Sequence, residues 1–343
     1  MEAQKSAQES AQGSAQGSAK ESPKESAGPR TSPLYPALEP FASGHLDVGD
    51  GHQIYWETSG NPQGRPALFL HGGPGGGCQS DHRRLFDPRT YMIVLFDQRG
   101  CGRSTPHSQL QANTTQHLID DIERLRAVLK VRDWLVLGGS WGAALALAYA
   151  QQHSQRVRGL ILRGVFAARQ CEIDWLYAEG GASALFPESW DKFAAAIPPG
   201  ERDDLVAAYH RRLTGADIGA RMDCARTWCA WEGELLTLRP RWRRSGSASQ
   251  SEIALARIEA HYFVNQSFIE EGQLLTNTPI MAHIPGVIVQ GRYDVVTPAR
   301  TAHALHKLWP ASQLRIVPDA GHATNEPGIC AALVSASDEL RPL

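Results

Sequence analysis

The stretch WLVLGGSWGAALALAYAQQ, Trp134 to Gln152, decides how the chain is to be read. Trp134–Leu137 is a short, continuous apolar run, the pattern of a strand buried on both faces. Ala143–Gln151 is rich in small residues and reads as a buried helix. Between them lies Gly138-Gly139-Ser140-Trp141-Gly142. A G-x-S-x-G run with a strand before it and a helix after it is a nucleophile elbow: the sharp turn exposes the serine oxygen at the carboxyl edge of a sheet. The glycines on either side let neighbouring backbone approach. The start of the following helix favours developing negative charge.

Working outward, further strand-like runs occur at Ile54–Thr58, Ala67–His71, Met92–Asp97, Val157–Arg163, Gly286–Gly291 and Gln313–Pro318. Helical patterns alternate with them. In Thr115–Lys130 the residues Leu118, Ile119, Ile122, Leu125 and Leu129 share one face, with Asn113 or Thr114 able to cap its start. Ala299–Trp309 is similar. The alternation predicts an α/β fold with a mainly parallel sheet. It stops between about Phe166 and Met281, a stretch rich in Trp, Tyr, Phe and Ala that reads as a helical insertion between two late strands. The division expected is a core of residues 34–166 and 281–343 with a helical cap at 167–280.

Residues 1–33 differ in composition. Ser6–Glu21 repeats SAQE, SAQG, SAQG, SAKE, and nothing large and apolar is available to offset the entropy of ordering it. A disordered, dispensable tail is the reading. Arg239–Arg244, RPRWRR, runs into SGSASQS and reads as an exposed, solvated loop rather than a nucleic-acid patch.

Over 343 residues, 34 basic against 36 acidic side chains leave a net charge of −2, which gives no general attraction to nucleic acid or anionic membrane. No apolar run reaches the roughly 18 residues of a spanning helix. The N-terminus lacks an apolar block before a small-residue cleavage site, so a cytoplasmic location is expected. Six scattered cysteines form no CxxC pair and read as reduced thiols.

A serine nucleophile needs a base and a group that orients it, and in elbow enzymes these follow in the order Ser, acid, His. Asp294, in Gly291-Arg292-Tyr293-Asp294, falls just past the strand Val287–Gln290, at the same sheet edge as Ser140. His322 falls on the loop after the strand ending near Pro318. Singly, Asp294 also fits a helix cap and His322 a loop histidine. In this order and at these strand ends, a triad explains both. An oxyanion needs two N–H donors. One belongs to Trp141, after the nucleophile. The other is expected in the glycine-rich loop His71–Gly77, HGGPGGG, which lacks the Gly-Lys-Ser/Thr ending of a phosphate loop.

HGGPGGG at 71–77, DQRGCGRS at 97–104, GGSWG at 138–142, GRYDVVTP at 291–298 and GHATNEPG at 321–328 together resemble the prolyl aminopeptidase (proline iminopeptidase) family. That resemblance implies an α/β-hydrolase fold with a helical cap, the triad Ser140, Asp294 and His322, and oxyanion donors from Gly73 and Trp141. In the cap, WCAWE at 228–232 and RIEAHYF at 257–263 resemble the segments that hold the substrate's amino end. The implied carboxylates are Glu232 and Glu259, with Phe166, Phe263 and Tyr177 as the apolar wall around a proline ring. Thr297 and Ala323 are given no role. The resemblance implies release of N-terminal proline from small peptides through an acyl-enzyme, with no metal or organic cofactor. Two alternatives remain open at this stage: an esterase or amidase using the same triad, and a non-catalytic binding protein on a hydrolase scaffold. Ser140 disfavours dehalogenases and epoxide hydrolases, whose elbow nucleophile is an aspartate.

Overall fold

The computed structural model describes residues 33–239 and 248–342. The repetitive tail, up to Ser32, and the arginine-rich loop beyond Arg239 therefore lie outside the described residues. Eight strands form one sheet: β1 (Pro40–Asp47), β2 (Gln53–Gly60), β3 (Arg65–Leu70), β4 (Tyr91–Phe96), β5 (Trp134–Ser140), β6 (Val157–Val165), β7 (Gly286–Gly291) and β8 (Ser312–Val317). Their spatial order is β1-β2-β4-β3-β5-β6-β7-β8. β1 pairs antiparallel with β2, and β2 antiparallel with β4. Every other neighbouring pair is parallel.

The parallel strands are apolar on both faces because both faces are covered. Leu68, Val94, Val136, Leu160 and Ile288 enter one buried cluster. Their chain neighbours Phe69, Leu95, Leu137, Ile161 and Val289 enter the other. This alternation has the period of two that a pleated strand imposes. β1 escapes sequence reading because PFASGHLD is an edge strand with one neighbour and mostly exposed side chains. The other strands match the sequence pattern with small extensions, the most telling being β5, which runs on to Ser140 itself.

The helices are α1 (Thr115–Val128) and α2 (Trp141–Gln152), then α3 (Gln170–Tyr177), α4 (Pro187–Ala195), α5 (Leu205–Thr214), α6 (Ile218–Leu235), α7 (Gln250–Val264) and the single turns α8 (Gln273–Thr276) and α9 (Thr278–Met281), followed by α10 (Ala299–Leu308) and α11 (Pro327–Glu339). Thr114 caps α1 by accepting from His117 N–H. Asn113 instead donates to Arg99 O and Gln109 O and accepts from Tyr262 OH on α7.

α3 to α9 all lie between β6 and β7, and their interior is aromatic. Phe193 stacks on Tyr209 at 4.6 Å, and Tyr177 on Trp228 at 4.5 Å. Each such side chain contributes roughly 1.5–3 kcal/mol of burial, enough to hold short helices that could not stand alone.

Candidate active site

Ser140 joins β5 to α2 with φ +58° and ψ −123°. A non-glycine residue rarely holds a positive φ, and the strain is characteristic of a nucleophile presented on a turn. Close packing enforces the turn. A Cβ at Gly138 would lie 2.1 Å from Gly142 O, and one at Gly142 would lie 2.1 Å from Leu70 O. Alanine at either position would push the elbow open.

The loop after β3 passes directly over the serine: a Cβ at Gly72 would sit 3.3 Å from Ser140 Cβ. Buried polar groups hold this loop. His71 Nε2 accepts from Gln98 N–H at 3.0 Å, and Gln98 Nε2 donates back to His71 O at 3.0 Å. Burial holds His71 below the usual imidazole range, so it stays neutral and keeps an acceptor nitrogen. Gln98 Oε1 also accepts from the Trp141 indole at 3.0 Å. The far end of the loop is tied by Cys78 N–H to Asp97 at 2.7 Å. Burial raises the Asp97 carboxyl, but its hydrogen bonds to Arg103 and Cys78, with other favourable contacts, together keep it below the ordinary range. The DQRG run thus frames the loop that carries Gly73, a role no spacing rule exposes.

Asp294, after β7, accepts at 2.8 Å from His322 Nδ1. It also accepts from Thr297 N–H at 2.8 Å, Thr297 Oγ1 at 3.0 Å and Gln290 Nε2 at 3.1 Å. Thr297, assigned no role from sequence, holds the carboxylate through both its N–H and its hydroxyl. Its hydroxyl also lies 3.2 Å from His322 Nδ1. Gln290 was missed because it belongs to the apolar strand β7.

Arg163, at the end of β6, was also missed. Its Nη1 lies 2.8 Å from His322 Nε2, the nitrogen that must face a nucleophile. The guanidinium is buried, its Nε has no hydrogen-bond partner among the described residues, and burial draws its pKa down to about 10. Burial depresses His322 too, with Arg163 adding to the effect and Asp294 opposing it.

A cavity of about 380 Å³ joins these groups to the cap, its lining including Gly73, Ser140, Arg163 and His322 from the core. From the cap come Tyr177, Glu232, Glu259 and Phe263, with Phe166 following β6. The Phe166 and Phe263 rings meet edge to face at 6.1 Å. Tyr177 OH donates to Glu232, and Trp228 Nε1 donates to Glu259 at 2.8 Å. Glu259 is pushed well above the ordinary carboxylate range, first by burial and then by the neighbouring charge of Glu232. Glu259 is buried and Glu232 half-buried, and two such carboxylates side by side cannot both ionise cheaply, so the pair is set to receive a cation.

The α/β hydrolase fold family matches residues 66–328. A proline iminopeptidase of Arabidopsis thaliana is 52% identical over 314 residues, covering 90% of this chain and 82% of the relative. The proline iminopeptidase of Xylella fastidiosa strain Temecula1 is 52% identical over 308 residues, 89% of this chain and 98% of that one. The chain belongs to the proline iminopeptidase family of α/β hydrolases. The crystal structure of a family namesake, proline iminopeptidase of Mycobacterium smegmatis, superposes with a TM-score of 0.55 at 18% identity, covering 88% of this chain and 99% of that one. At that identity the likeness speaks for the fold alone. Within the family frame, the two glutamates and the Ser140 elbow line one cavity.

Proposed function

We propose that this chain is a serine exopeptidase that releases N-terminal proline from small peptides. The observation that carries the reading is the pair of half-buried Glu232 and buried Glu259 in the same cavity as Ser140, His322 and Gly73. The cationic imino nitrogen of an N-terminal proline neutralises that pair. Phe166, Phe263 and Tyr177 enclose the pyrrolidine ring, and the first carbonyl then lies at Ser140. An esterase for neutral acyl groups would gain nothing from two adjacent carboxylates in its acyl pocket.

Ser140 Oγ attacks the carbonyl carbon while His322 Nε2 takes its proton, for which that lone pair must pass from Arg163 to the serine. The oxyanion rests on the Gly73 and Trp141 N–H groups. Asp294 stays ionised and holds the Nδ1–H tautomer. His322 then protonates the leaving nitrogen as the C–N bond breaks. Water, activated by the same imidazole, hydrolyses the prolyl ester and frees the serine.

We assign residues 34–166 and 281–343 to the catalytic core and 167–280 to the substrate-reading cap. The segment 1–33 takes no part in turnover. A cytoplasmic location fits small peptides as substrates, and among the described residues no helix is long and apolar enough to cross a membrane. The test is release of free proline from Pro-X dipeptides by wild type, Ser140→Ala and His322→Ala, beside fluorophosphonate labelling mapped by peptide mass. Proline release by wild type alone, with the label on Ser140, is expected. Release that survives Ser140→Ala would refute the assignment.

A further inference from the structure

Glu326 stands at the N-cap of α11, yet its side chain makes no capping bond to that helix. The buried carboxylate turns away and joins two other segments. One oxygen accepts from Gly321 N–H at 2.9 Å, next to His322. The other accepts from Leu238 N–H at 2.8 Å, just beyond the end of α6. The same two segments meet again through backbone. Leu236 O accepts from His322 N–H at 3.1 Å and from Ala323 N–H at 2.8 Å. Space for another atom is scarce, since a Cβ at Gly321 would lie 3.0 Å from both Glu326 Oε1 and Leu238 N.

Leu236 follows α6 directly, and Glu232 sits one turn earlier on that helix. One helical turn and a short run of hydrogen bonds therefore separate the carboxylate facing the substrate's amine from the loop holding the base. We propose that Glu326 is a positioning residue that makes the end of the Glu232 helix and the His322 loop a single unit, so that the amine seat and the base are placed together. This rests on the exopeptidase reading above. The carboxylate suits the task because it accepts at both oxygens. Glutamine would turn an N–H₂ group towards one of the two N–H donors, and aspartate is too short to reach both.

The test is a double-mutant cycle on a prolyl 4-nitroanilide, using wild type, Glu232→Gln, Glu326→Gln and the double variant, with thermal unfolding measured alongside. Coupled residues give non-additive losses, and independent ones multiply. Glu326→Gln is expected to lower kcat/KM at least about tenfold in wild type but less than about threefold in the Glu232→Gln background. Glu326→Asp should behave like Glu326→Gln, which keeps the cycle readable if the glutamine variant fails to fold. Equal fold-losses in both backgrounds would overturn the proposal. A wild type that takes a fluorophosphonate at Ser140 but cleaves no prolyl amide would instead overturn the activity on which it rests.

Discussion

Glu259→Gln separates function from stability in a way few substitutions can. Glutamine keeps the shape of the side chain, can still accept from the Trp228 indole, and offers an N–H to Glu232. What it removes is charge. A cation about 3 Å from a carboxylate gains about 5 kcal/mol at an effective dielectric constant near 20, and desolvation leaves about 2–4 kcal/mol of that. The expected loss in kcat/KM for a prolyl amide is therefore about 30- to 1,000-fold.

Stability should move the other way. The Glu259 carboxyl is raised above its unfolded value, so the stability associated with it is fully present below the ordinary carboxylate range and lost as pH rises through the higher folded value. Glutamine has no proton to lose. At pH 8 the variant should be as stable as wild type or more so, by on the order of 1–2 kcal/mol, or a few degrees in Tm. The assays are steady-state hydrolysis of a prolyl 4-nitroanilide and a thermal melt at pH 5 and pH 8. A kcat/KM within about threefold of wild type would refute the amine seat. A Tm several degrees lower at pH 8 would refute the costly burial of the Glu259 carboxyl beside Glu232.

Replacing Arg163 by glutamine removes a positive charge that depresses His322, so the acid limb of kcat/KM should move to higher pH; an unmoved limb in a full pH–rate profile would contradict the contact. Thr297→Val removes a 3.0 Å hydrogen bond to Asp294 and should lower kcat about three- to tenfold, leaving KM nearly unchanged. Deleting residues 1–33 should leave kcat/KM on a prolyl amide unchanged, and a large loss in the truncated chain would show that the tail serves catalysis.

Much of this was legible because the informative features are local. A strand, a tight turn and a helix lie within Trp134–Gln152, and the loops carrying Asp294 and His322 directly follow strands of the same parallel sheet. Strand direction then puts all three at one edge. Edge strand β1 was not legible, because nothing in PFASGHLD alternates cleanly between buried and exposed. Nor were the supports of the site. Gln98, Gln290 and Thr297 act through contacts whose partners are distant in sequence or fall within motifs already given another meaning. Arg163 lies near the end of a strand, VRGLILRGV, whose apolar centre draws attention away from the charge that follows it. Glu326 falls within the GHATNEPG run and was given no role of its own, and only its actual partners, Gly321 and Leu238, reveal what it joins.

The most direct measurement compares kcat/KM for a prolyl 4-nitroanilide with that for its N-acetylated form on the wild-type chain. Acetylation removes the charge and leaves the ring and the scissile bond in place. A cavity that reads the imino cation through Glu232 and Glu259 predicts a preference for the free amine of about a thousandfold or more, the sum of lost ion pairing and stranded carboxylates. Comparable rates on the two substrates would contradict it.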